Sequence, residues 1–324
     1  MPKANDGTWT GITQVEAVGT QRGEPVPGFP LQFEWHTGPW MDIFDLQLAL
    51  IKQDVRRARA EDRLTVYLSC PISARGGGYS GTNVDIARFT ERALLQRWGE
   101  GFWILNPAQY QLESKAGSGL MEEHAKRLHI DLNQLRTMSS PTGGDYLRMW
   151  TKALVENDAA YGFETDDPNL RNTGQHFDAF YFLGPRDVQA FFVQLGVSLT
   201  AGIENYFSRR EATDADFRDS FAIPGLNWGA VPTAGTAQAS LRDRWERVRI
   251  EFFRYYGLRA SGNFSLGSHD EWNIYCQINL LRRTRTAKPG QLDGDVSIQL
   301  AGYFDGGQLD PASTEAGVSR GYAL

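Results

Sequence analysis

The residues best suited to hold an anion form the run Arg75-Gly-Gly-Gly-Tyr-Ser-Gly81. Consecutive glycines let a ligand approach backbone N–H groups closely, and Arg75 adds a positive charge. The run follows an apolar, β-branched stretch at 64–70 and precedes a helical pattern that opens near Thr82. Its N–H groups would therefore sit at the positive end of a helix dipole. Arg75, Gly76, Gly77, Gly78 and Tyr79 are candidate ligand-binding residues on this ground. The spacing is neither Gly-x-Gly-x-x-Gly nor a phosphate loop ending in Gly-Lys-Ser/Thr, so the bland alternative is a flexible turn. A second group is Gly267-Ser-His-Asp-Glu-Trp-Asn273. It gathers a histidine, two acids and a tryptophan at a helix start, where Ser268 and Glu271 also have the spacing of a capping box. His269, Glu271 and Trp272 are candidates to line a cleft.

Other combinations point to different chemistry. His176-Phe-Asp178 with a distant His269 has the spacing of a two-histidine, one-carboxylate iron site. Against it, the chain alternates helix and strand, and His269 opens a helix. His124 and His129 are five apart and do not share a helix face, as a zinc pair would. Neither metal nor cofactor is expected. Gly317-Val-Ser-Arg-Gly321 matches the serine-hydrolase elbow in letters only. No strand precedes it and no histidine follows it, so it reads as a tail. The arginines of 242–254 and 282–285 alternate with Asp243, Glu246 and Glu251, as on a solvated, ion-paired face.

The elements that must position these residues follow from periodicity. Phe44, Leu48, Ile51, Val55 and Ala58 recur at steps of four and three, which predicts one amphipathic helix. Residues 64–70 read as a buried strand closed by Pro71. Val84, Ala87, Leu94, Leu95 and Trp98 mark the helix after the glycine run, and Gly99 and Gly101 end it. Residues 102–105 are the next strand, so strand, loop, helix, strand predicts a parallel sheet. Helices are expected over 120–135 and 145–157, and a strand at 177–183. Beyond 210, a helix runs through Leu241, Trp245, Val248, Phe252 and Tyr255. Another runs through Trp272, Ile274, Ile278 and Leu281. Val296, Ile298 and Leu300 alternate as in a half-buried strand. The expected organisation is an extension and helix at 1–61 and an α/β ligand-binding core at 62–210. Residues 211–324 make a smaller α+β unit or extend the first sheet.

Composition narrows the function classes. The chain has 324 residues, 41% hydrophobic, with a formal charge of −6. That length buries a core without disulfides, and the acidity argues against general binding to nucleic acid or anionic membrane. Cys70 and Cys276 are the only cysteines, which excludes a disulfide scaffold and a thiolate zinc site. The first residues lack the apolar run of a signal peptide, and no stretch reaches the ~20 apolar residues of a membrane span. The expectation is a soluble, cytoplasmic protein. Its 18 Phe, 12 Tyr and 9 Trp are mostly core; any surplus would form a surface that stacks on rings or grips a peptide.

Four segments together carry a family resemblance. Tyr67-Leu-Ser-Cys-Pro-Ile-Ser73, Ile104-Leu-Asn-Pro107, Asp145-Tyr-Leu-Arg-Met-Trp150 and Asp178-Ala-Phe-Tyr-Phe-Leu183 resemble the layout of nucleoside 2-deoxyribosyltransferase-like proteins over about residues 62–205. The resemblance implies a flavodoxin-like, Rossmann-like sheet and cleavage of an N-glycosidic bond. In that chemistry a carboxylate attacks the anomeric carbon and an acid assists the departing base. By position, Tyr67 and Ser69 would orient the nucleophile or the sugar. Asp145 or Asp158 would serve as acid or base, and Asp178 opens the later strand. The family's nucleophilic glutamate lies on the helix after that strand. Here the chain reads Pro185-Arg-Asp-Val-Gln-Ala-Phe-Phe192, and the next glutamate is Glu204. Asp187 is therefore the candidate nucleophile, one methylene short, and a ~1 Å misplacement costs ~10²-fold in rate. Two functions follow: an N-glycosyl hydrolase or deoxyribosyltransferase, or a non-catalytic accessory protein with a degenerate site. The partner is a nucleoside- or nucleotide-like small molecule or a short peptide, and a homodimer is a further expectation.

Overall fold

In the computed structural model, residues 18–73, 77–112, 115–163, 167–228, 233–288, 298–310 and 320–324 are described. A hairpin of β1 (Thr20–Gly23) and β2 (Phe33–His36) leads into helix α1 (Pro39–Ala60). Then come β3 (Leu64–Ser69), α2 (Ser80–Trp98), β4 (Phe102–Leu105), α3 (Lys115–Arg127), α4 (Leu132–Met138), α5 (Gly143–Val155) and β5 (Ala179–Phe182). Helices α6 (Pro185–Val193), α7 (Leu199–Thr213), α8 (Ala215–Ser220), α9 (Ala237–Leu258) and α10 (Leu266–Thr286) precede β6 (Ala301–Phe304) and β7 (Gly307–Gln308). The sheet order is β4-β3-β5-β6-β7, parallel except for β7. This is the mixed α/β, mostly parallel sheet that the sequence predicts.

Alternation along the strands builds two cores, one on each face. Tyr67, Leu105, Phe180 and Phe182 point to one side, where α1, α5 and α10 supply Phe44, Ile51, Trp150, Ile274 and Ile278. Val66, Leu68, Ile104 and Tyr181 point to the other. There α2, α6, α7 and α9 supply Ile86, Phe191, Phe192, Phe207, Trp245 and Phe252. Successive strand residues face opposite ways, so the near-continuous apolar runs of β3 and β5 are what a sheet covered on both faces requires. The apolar face of α1 is buried as expected from Phe44 to Ala58. The helix expected at 120–135 is broken into α3 and α4 around His129, whose φ is 57°.

The C-terminal residues extend the first sheet. Strand β6 pairs with β5 in the register Ala179↔Ala301 to Phe182↔Phe304. It begins just after the alternation read at 296–300, of which 296 and 297 lie outside the described residues. Asp305 and Gly306 have φ of 54° and 82°, the pair of positive angles that a two-residue type I′ hairpin needs. The boundary expected at 210/211 falls inside α7, and α9 packs on both α6 and α7. The N-terminal hairpin is likewise joined to the core, since β2 packs on α5. Among the described residues no helix is long and apolar enough to cross a membrane.

The connection from β5 to β6 visits both faces. Helices α6, α7 and α9 pack on one side of the sheet. The chain then crosses to the other side, where α10 runs into β6. Of the helices that follow β5, α6, α7 and α9 therefore pack on one face and α10 on the other.

Candidate functional site

A cleft of about 980 Å³ opens at the C-terminal edge of β3 and β4. Cys70, Ile72 and Ser73 line it after β3, and Pro107 and Ala108 after β4. The first turns of three helices face it through Tyr79 to Gly81, through Thr142, Gly143 and Tyr146, and through Ser265 to Ser268. Strand C-termini in open α/β sheets are where ligands bind, and helix N-termini favour negative charge.

Glu271 forms part of the cleft wall and is only 7% exposed. Tyr67 and Ser69 are two apart on β3 and so share the face that α10 covers. Ser69 Oγ donates to Glu271 Oε2 at 2.5 Å across 202 residues of sequence. The Tyr67 hydroxyl is directed at the same carboxyl without reaching ordinary hydrogen-bond geometry. Burial strips water from the carboxyl and lifts its pKa to about 7, against the pull of Ser69 and Tyr67 and helped by the Asp270 charge. Tyr67 itself is pushed well above the usual phenol range, by burial first and then by Glu271. Ser268 Oγ, also in the cleft wall, is buried without a partner among the described residues.

Asp270, the neighbour of Glu271, has a holding role. It accepts from the backbone N–H of Gly321 at 2.9 Å and Tyr322 at 2.6 Å. This ties residues 321–323 to the start of α10 and brings the Tyr322 ring into the cleft wall. A side chain at Gly143 would meet that ring at 2.1 Å, so the ring would have to shift to admit one.

The other sequence-predicted carboxylates are occupied elsewhere. Asp187 does not line the cleft. It sits in the first turn of α6, accepting from Gly184 N at 2.9 Å and Tyr181 Oη at 2.9 Å. Burial lifts its pKa to about 6, yet its oxygens are used by the cap. Asp145 caps α5 by accepting from Thr142 N at 2.7 Å, and it also accepts from His36 N at 2.7 Å. Asp158 pairs with Lys52 at 2.8 Å. Asp178 accepts from Thr65 N at 2.7 Å at the N-terminal end of β5, the sheet edge opposite the cleft. His176 is at that same end, with Nε2 2.7 Å from Ala153 O. Burial drives its pKa down to about 3. His269 lies near the other end of β5, 2.7 Å from Asn263 O, so the three residues of the iron pattern do not converge.

The glycine run divides. Arg75 and Gly76 lie outside the described residues. Gly77 has φ of 101°, and a side chain there would meet Glu251 O at 2.8 Å; at Gly78 it would meet the Tyr255 ring at 2.5 Å. These glycines let the loop press against α9. Tyr79 does line the cleft, its ring edge-on to Phe217 at 5.1 Å. Trp272 packs on Phe182 at 4.8 Å and belongs to the core side of α10. Residues that sequence reasoning did not select also reach the cleft: Arg88 and Asp85 on α2, and Arg210 and Asp214 at the end of α7. Arg210 bonds Asp85, and its Nη1 lies 2.8 Å from Asp214. Asp85 and Arg88 are one turn apart on α2, but nothing in the sequence says which way that face points.

Comparison with protein-family models, curated proteins and solved structures gives no match to this chain.

Proposed function

We propose that the cleft binds a nucleoside- or nucleotide-like small molecule and that the protein breaks its N-glycosidic bond, with Glu271 as the attacking carboxylate. The observation that supports this is the buried Glu271 carboxyl, held by Ser69 at 2.5 Å on a residue that lines the cleft at the sheet edge. In the step, a Glu271 oxygen bonds to the anomeric carbon as the carbon–nitrogen bond breaks. The base leaves with a proton, and water or a second base then displaces the glutamyl ester. That proton comes from solvent, because Asp85 and Asp214, two other acids that line the cleft, are both paired with Arg210. Tyr146 and Trp150 present ring surface to a base. With a pKa near 7, Glu271 is partly ionised at neutral pH and becomes a stronger nucleophile than an ordinary carboxylate once it loses its proton.

The test is incubation with a panel of nucleosides and nucleoside monophosphates, reading free base by chromatography. Release is expected with the native chain. It should fall by ~10³-fold or more in Glu271→Gln, while circular dichroism stays native. Thermal stabilisation by the same compounds without any base release would remove turnover and leave binding. Absence of both would overturn the whole reading.

A further inference from the structure

We infer that the cleft's ligand carries a phosphate group, held by Arg88, Arg92 and Arg209 in a groove that continues from the cleft. This rests on the reading of the cleft as the ligand site and narrows it to a phosphorylated ligand. The groove has a volume of about 900 Å³ and shares Asp85, Arg88 and Arg210 with the cleft, so the two adjoin.

The groove gathers more basic side chains than its acids can match. Its two acids are engaged: Asp85 accepts from Tyr206 Oη at 2.8 Å and from Arg210. Glu91 accepts from Asn106 Nδ2 at 2.7 Å and from Gln109. Arg210 is spent between Asp85 and Asp214. Arg88, Arg92 and Arg209 form no ion pair among the described residues, although all three line this groove. Several arginines elsewhere are paired with acids, as in Arg249–Glu204, Arg242–Glu211, Arg254–Glu251 and Arg148–Asp45. Such a cluster is the more notable in a chain of net charge −6.

Arg88 and Arg92 are four apart and lie on one face of α2. Arg209 comes from α7 across the groove. Guanidinium groups that line one groove are favoured by an anion between them, and a phosphate dianion accepts several forked pairs at once. The ligand would place its sugar and base against Glu271 and reach past Arg88 with its phosphate.

Calorimetry with adenosine, adenosine 5′-monophosphate and inorganic pyrophosphate on the full chain tests this without reading base release. The monophosphate should bind about tenfold or more tighter than adenosine at low salt, as charged hydrogen bonds of this kind imply, and the advantage should shrink as salt rises. In Arg92→Gln/Arg209→Gln, both exposed positions, the ratio should fall toward unity. Pyrophosphate binding should weaken in parallel. Equal affinities in the native chain, or an advantage that survives the double substitution, would overturn the inference. If neither adenosine compound binds, pyrophosphate still reports on the groove, and its failure to bind also overturns it. Base release from nucleosides with no preference for phosphorylated ones would refute the phosphate site alone and leave the glycosidic reading standing.

Discussion

Two carboxyl groups follow strand β5, and they differ instructively. Asp187 lies on α6 on one face of the sheet, and Glu271 lies on α10 on the other. Burial raises both, to about 6 and about 7 respectively. Perturbation alone does not separate them, because structural and reactive groups are both perturbed. Hydrogen-bond accounting does. Asp187 receives a backbone N–H and a tyrosine hydroxyl within its own cap. Glu271 receives one hydroxyl from β3 and otherwise borders the cleft.

Exchanging each carboxyl for its amide breaks or sharpens this contrast. Glu271→Gln should abolish base release by ~10³-fold or more while the fold persists. Asp187→Asn should leave release within a few-fold and cost about 1 kcal/mol of stability, as loss of a cap does. Denaturant melts and base-release assays on both variants check this. The opposite pattern, with activity lost at 187 and kept at 271, would return the nucleophile to α6.

A second effect is on the pH dependence of stability. The folded pKa of Glu271 lies above its unfolded value. The folded state therefore keeps its proton longer, and its contribution to stability is present below about pH 4.5 and lost as pH rises through about 7. The loss is on the order of 3 kcal/mol. In Glu271→Gln, which keeps a polar partner for Ser69, the stability decline between pH 4.5 and 8 should be smaller by about that much. Urea midpoints at the two pH values decide it, and parallel curves for native and variant chains would show that the carboxyl is not held in a dry site.

How much of this was legible in the sequence follows from range. The parallel sheet was, because β3, β4 and β5 are short apolar runs and turn signals bound them. Tyr67 and Ser69 were selected through the family resemblance, and Glu271 through its crowded helix start. Their union was not legible, because 202 residues separate Ser69 from its partner. Four helices, α6 to α9, intervene between β5 and the helix that carries Glu271. The resemblance points to the first helix after the strand and so meets Asp187. Gly77 and Gly78 misled for a related reason. A glycine cluster signals close approach of something, but the sequence does not say whether a ligand or, as here, the Tyr255 ring and the α9 backbone.

That last distinction yields a smaller prediction. Gly78→Ala places a methyl 2.5 Å from the buried Tyr255 ring, and overpacking of this kind costs about 1–3 kcal/mol. If the glycine serves packing, Gly78→Ala/Tyr255→Phe, which keeps the ring, should be no more stable, whereas Gly78→Ala/Tyr255→Leu should recover part of the loss. A glycine serving only a ligand would show no loss in the free protein, which thermal denaturation would reveal.

The smallest effect tests the contact that joins the two halves of the site. Ser69 Oγ lowers the Glu271 pKa by donating to its charged form. Ser69→Ala removes that donor, so ionisation of Glu271 should shift above pH 7. Base release at pH 7 should drop about tenfold, the usual worth of a hydrogen bond to a charged group. Raising the pH should recover most of it, since the carboxylate itself remains. A mere packing role for Ser69 predicts a different result: loss at every pH, with the profile unmoved. The midpoint of the pH–rate curve, more than the rate itself, therefore carries the decision on whether β3 tunes the carboxyl that α10 delivers.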